Sequence, residues 1–147
     1  SGWAIAAQIY ALRSLHDGGI GNFGGVAALG AAAGARGADA MAVSPTHALF
    51  AAAPGHFSPY SPSTRLFANP LHADPVLVLG EPAVSAAIAA AGLGADMAAL
   101  ERAPAVLWEA ATPIRRALLD ELHRALLASG DGLSADFAAY RAGAPQA

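Results

Sequence analysis

At 147 residues and a net charge of −3, the chain has room for one compact domain with a core. Its eight basic residues, all arginine and scattered, leave no basic stripe to follow a nucleic-acid backbone. Hydrophobic residues make up 55% of it, largely through alanine, but no run approaches the roughly 20 apolar residues needed to cross a bilayer, so neither nucleic acid nor a membrane is an expected partner. With no cysteine, disulfides and thiolate metal sites are excluded.

The chain opens on Ser1 rather than methionine and closes soon after a helical pattern, so a longer protein is expected to continue on both sides. Trp3 to Tyr10 is an almost unbroken apolar run, the pattern of a strand buried on both faces in a parallel sheet. Gly18, Gly19, Gly21 and Gly24 then form a turn in which Asn22 is placed to cap a helix over Phe23 to Arg36, stopped at Gly37. Ala38 to Val43 reads as a second short strand, so residues 1–43 make one right-handed strand, helix and strand unit.

Residues 44–75 are expected to be loop leaving the carboxyl end of that strand. A loop of this length is usually functional or disordered, and its aromatic residues Phe50, Phe57, Tyr60 and Phe67 argue against disorder. Residues 76–147 read as mainly helical. Pro82 opens a helix to Ala91, a short helix covers Asp96 to Arg102, and Thr112-Pro113 starts another with Ile114, Leu118, Leu122 and Leu126 on one face. Val106 to Ala111 is expected as a turn ahead of that start. Ser134 is placed to cap the last helix, with Phe137 and Tyr140 on one side of it.

The chemistry is concentrated in Ser58 to Pro70. Three prolines hold this stretch extended, and Tyr60, Ser61, Ser63, Thr64, Arg65 and Asn69 set hydrogen-bonding groups beside an aromatic ring. Such a surface suits a neutral, hydroxyl-rich ligand such as a sugar. A Gly-x-Gly-x-x-Gly pattern at Gly19, Gly21 and Gly24 raises a nucleotide-binding reading, but the gap from Tyr10 is long and the acidic residue such a site needs is at best Asp39, so it ranks last. The eleven acids supply no evident facing pair of the kind that glycoside chemistry needs. No catalytic residue is nominated, and the five histidines have no metal-like spacing.

Four blocks in order, Gln8-Ile-Tyr-Ala-Leu-Arg-Ser14, Gly19-Ile-Gly-Asn-Phe-Gly24, Ser44-Pro-Thr-His-Ala-Leu-Phe50 and Ser58-Pro-Tyr-Ser-Pro-Ser-Thr-Arg65, resemble the start of the catalytic barrel of 4-α-glucanotransferases, the amylomaltase or disproportionating-enzyme family (glycoside hydrolase family 77). The match is good from Gly2 to about Asp74 and looser beyond. Asn22 stands where that family commonly has aspartate, Ser44 where asparagine precedes proline, and His72-Ala73 where Tyr-Ile is usual.

The resemblance implies an α/β fold: the first two parallel strands and their helix of a (β/α)8 TIM barrel, a long active-face loop and a helical insertion. It implies transfer of α-1,4-glucan segments between maltodextrins by a retaining double displacement, without metal or organic cofactor and in the cytoplasm. The catalytic carboxylates would lie on later strands, so the remainder of the barrel is an expected partner, besides α-1,4-glucans or maltooligosaccharides. Tyr60 and Ser58 are the implied sugar contacts, with His47, Arg65 and Asn69 behind them or bracing the loop. The alternative from another class is a non-catalytic glucan-binding or regulatory module.

Overall fold

The structure is a computed structural model that describes residues 2–50 and 52–143. Two strands, β1 (Ala4–Ala7) and β2 (Ala40–Val43), pair in parallel with Ala4 opposite Ala40 and Ala7 opposite Val43. Helix α1 (Phe23–Gly34) connects them. Its start is set as the sequence predicts: the Asn22 side chain accepts a hydrogen bond from the Gly25 N–H at 3.0 Å, satisfying one of the free donors of the first turn.

The first strand is shorter than the apolar run, and its faces are not both covered. From Ile9 to Ala11 the chain tightens into a 3-10 turn, while within β1 exposed alanines alternate with half-buried residues. Ile5 and its register partner Met41 are half-buried on one face, where Met41 reaches α1 beside Gly30. Ala4, Ala6, Ala40 and Ala42 on the other face are exposed. Alanine content made the run look like a buried strand, but among the described residues the second face stays exposed.

Residues 44–75 are largely irregular, yet they fold back on themselves. His47 and Ala68 form an antiparallel bridge, reinforced by bonds from Ala48 N to Phe67 O (2.9 Å) and from Asn69 N to Thr46 O (2.7 Å). A 3-10 turn at Pro70–His72, capped by Asn69, and the one-turn helix α2 (Pro75–Leu79), capped by Asp74, close the segment.

The rest is helical: α3 (Glu81–Ala90), α4 (Gly94–Arg102), α5 (Trp108–Ser129) and α6 (Gly132–Gly143). The expected helical stretch of 76–147 is thus described as far as residue 143; its last four residues lie outside the described set, as does Ala51 of the loop. Val84, Ala87, Leu93, Met97, Leu118 and Leu122 form one core cluster among α3, α4 and α5. Ile20, Leu71, Leu100, Trp108 and Ala111 form a second, which joins the glycine turn to the helices.

Two helix starts differ from the sequence expectation. Helix α5 begins at Trp108 rather than at Pro113, which lies inside it. Burial of Trp108 and Ala111 holds the first turn, and a proline this close to the start removes only one intrahelical bond. The last helix is capped by Asp131, whose Oδ1 accepts from the Ser134 N–H at 2.9 Å, so Ser134 is the capped residue rather than the cap.

Candidate functional site

The carboxyl ends of β1 and β2 open into a hollow of about 270 Å³ lined by Ala6, Ala7, Gln8, Ala42, Val43, Ser44 and Tyr60. Each residue arrives there for a local reason. Gln8 is the first polar side chain after the apolar run of β1, and Ser44 directly follows β2. The Ser44 hydroxyl accepts from the Ile9 N–H at 3.2 Å, which ties the two strand ends together and leaves Ser44 buried. Tyr60 reaches across from the long loop. It is 65% exposed, and its hydroxyl receives a hydrogen bond from Gln8 Nε2 at 3.4 Å.

The other sequence-predicted residues are distributed around this hollow rather than gathered in it. Ser58 is exposed and begins the turn that presents Tyr60, its carbonyl accepting from the Ser61 N–H at 3.1 Å. Its own hollow is a neighbouring one, lined with Phe50, His56, Phe57 and Ser61. His47 is half-buried in the loop's backbone bridge. Asn69, 3% exposed, braces the loop: its Oδ1 accepts from the Leu71 N–H at 3.1 Å while its backbone holds Thr46. Arg65 is exposed, and no hydrogen bond or ion pair engages it among the described residues. The bracing beside Arg65 is carried by Ser63 instead, whose hydroxyl donates to Ala48 O and Leu49 O, both at 3.0 Å.

Behind the loop stands a support that the sequence did not announce. Arg115 of α5 is fully buried and donates to the carbonyls of Leu71 (3.2 Å), His16 (2.9 Å) and Ala73. Burial lowers its pKa from the ordinary arginine value, against the opposing pull of Asp17, Asp74 and Glu101. Asp17, also fully buried, fixes the glycine turn by accepting from the Ser14 and Gly19 N–H groups. Arg13 locks that turn to the end of α4 through the carbonyls of Leu100, Glu101 and Ala103 at 2.7–2.9 Å.

Trp108 adds an aromatic anchor, stacked on Phe57 at 5.5 Å and met edge-on by Tyr10 and His72. His72 is buried beside Phe23, and its Nδ1 carries the proton because it lies 3.3 Å from the Gly21 carbonyl, which can only accept. Periodicity placed Leu118 and Leu122 on the buried stripe of α5, but a charged side chain at position 115 breaks the apolar pattern and so escaped it.

The glycine turn is not shaped as a phosphate cradle. A Cβ at Gly19 would lie 2.5 Å from Leu100 O, one at Gly21 would strike the Ile9 carbonyl, and one at Gly24 would strike the Asp74 carboxylate. At Gly19 and Gly21 the close neighbours are the chain's own carbonyls, and at Gly24 a side-chain carboxylate. An acid stands at the N-terminus of α1, where an anion would have to bind.

Several of the acids are engaged in caps and ties. Asp39 accepts from the Trp3 N–H, Asp74 from Val76 and Leu77, and Glu81 faces His16 at 2.8 Å. Among the described residues no three metal-ligating side chains converge, and no single helix is long and apolar enough to cross a membrane.

The comparison with known proteins falls on this same chain of elements. A family model described as 4-alpha-glucanotransferase, glycoside hydrolase family 77, matches residues 7–146. The chain belongs to this 4-alpha-glucanotransferase family. A 4-alpha-glucanotransferase of Haemophilus influenzae is 40% identical to it over 72 residues, which is 49% of this chain and 10% of that protein. The chain therefore spans about a tenth of the length of that relative. Membership of the 4-alpha-glucanotransferase family agrees with the mixed α/β architecture, two parallel strands with mostly helices around them, which is compatible with part of a barrel. Gln8, Ser44, Ser58 and Tyr60 all lie inside the matched span.

Proposed function

We propose that this chain is the first part of the (β/α)8 catalytic barrel of a 4-α-glucanotransferase, and that residues 44–75 form its substrate-facing loop. The observation that carries the reading is Tyr60 standing over the carboxyl ends of two parallel strands, the face on which barrels of alternating strands and helices build their active sites. There its ring offers an apolar face and its hydroxyl a polar tip to an α-1,4-glucan. Ser58 contributes at the rim, and Asn69, His47 and the Ser63 bonds hold the loop in place.

Every acid described above as a cap or tie is occupied in that role. On the family pattern, the nucleophile and acid/base of a retaining double displacement would come from later barrel strands, and the enzyme would transfer a glucan segment through a covalent intermediate with no cofactor. Family membership supports the reaction class; the exposed alanine face of the strand pair supports the incomplete barrel, because a free-standing module would leave it uncovered.

The test is disproportionation of maltotriose by the full-length protein that carries this sequence. Glucose release and longer maltodextrins are expected, and Tyr60→Ala is expected to lower kcat/KM by about a hundredfold through lost stacking and hydrogen bonding. A protein that binds maltotriose yet transfers nothing would favour the non-catalytic module.

A further inference from the structure

We propose that Gln8 is a positioning residue for Tyr60, fixing its hydroxyl so that the phenolic proton points into the hollow toward a sugar oxygen; this rests on the glucan reading above. The Tyr60 oxygen accepts from Gln8 Nε2 at 3.4 Å, so its own proton is left to be donated elsewhere. The ring is largely exposed, and the hollow over the strand ends is the space into which that donation is made.

The other end of the same amide is informative. Gln8 Oε1 is enclosed and has no hydrogen-bond partner, a condition that native structures rarely tolerate without a functional reason. Leucine at this position would fill a similar volume with no orphaned atom, and stability alone therefore does not account for glutamine. Its place, one residue beyond β1 and level with Ser44 beyond β2, is that of a group serving the barrel face.

The experiment uses the full-length protein with Gln8→Leu, Gln8→Glu, Tyr60→Phe and the Gln8→Leu/Tyr60→Phe double variant, assayed on maltotriose and by thermal unfolding. Each of Gln8→Leu and Tyr60→Phe is expected to lower kcat/KM by roughly tenfold, the worth of one oriented hydrogen bond. The double variant is expected to fall no lower than either single, because the two side chains act as one unit. Gln8→Glu is expected to be worse than Gln8→Leu, since a carboxylate would take the Tyr60 proton for itself. The Tm of Gln8→Leu should be unchanged or raised.

Additive losses in the double variant, wild-type kcat/KM in Gln8→Leu, or a lowered Tm in Gln8→Leu would each overturn the proposal while leaving the glucan reading intact. A wild-type protein that neither transfers nor binds maltotriose would overturn both.

Discussion

Leu118 and Val84 are fully buried in the helical half, whereas Ile5 and Met41, the counterparts at the heart of the strand pair, are only half-buried. The same kinds of apolar side chain meet different fates because α3, α4 and α5 cover one another from within the chain, while the strands have α1 on one face and open alanines on the other. The helical half is a finished core; the strand pair keeps one face open. The hollow under Tyr60 lies on the unfinished side, and two supports of the loop, Arg115 and Trp108, belong to the finished one.

The largest effect is expected at the join between the two. Arg115→Ala would leave the Leu71, His16 and Ala73 carbonyls without their donor and Asp17 without its nearby cation. A loss of about 3–5 kcal/mol in urea unfolding is expected, as for other broken buried charge networks. A loss under about 1 kcal/mol would mean that the loop is not held from the helical side.

A pair of truncations separates the two regions. Leu118→Ala should cost about 2–5 kcal/mol, the range for a fully buried leucine, and Ile5→Ala less than that in the same chain, because part of its surface is already in water. Equal costs would break the distinction between finished and unfinished regions. On the partial-barrel proposal, repeating Ile5→Ala in the full-length protein should raise its cost toward that of Leu118→Ala.

A smaller effect is expected from pH. Burial holds the His72 pKa below its ordinary value, opposed by the bond to the Gly21 carbonyl and helped by the nearby Arg115 charge. The unfolded chain therefore takes up this proton before the folded one does. The contribution is fully present above the ordinary histidine range and is lost as the pH falls through it. His72→Gln should flatten that slope in stability measured from neutral to mildly acidic pH, and an unchanged slope would locate the titration elsewhere.

The smallest effect belongs to Arg65→Ala. With an exposed guanidinium that no described group engages, it should change stability by less than about 0.5 kcal/mol. A larger loss would show that the loop is braced from its outer side after all.

Much of this molecule was legible from short-range signals. Asn22, Gly37, Pro82 and Gly92 announced where helices begin and end because capping and positive-φ positions are decided by a few neighbouring residues. The order of motif blocks carried the family, and the position of the loop after β2 carried the candidate site.

What the sequence alone misjudged was coverage. Alanine-rich β1 read as buried on both faces, and α5 was expected to wait for Pro113, because neither burial nor the hold of Trp108 on the first turn is a local property. The partnership of Gln8 with Tyr60, 52 residues apart, and the reach of Arg115 to carbonyls 42 to 99 residues away were likewise settled only by tertiary structure. A polar side chain shows in the sequence what it can bond to. Which group it meets, and whether water is excluded there, depends on segments that only folding brings together.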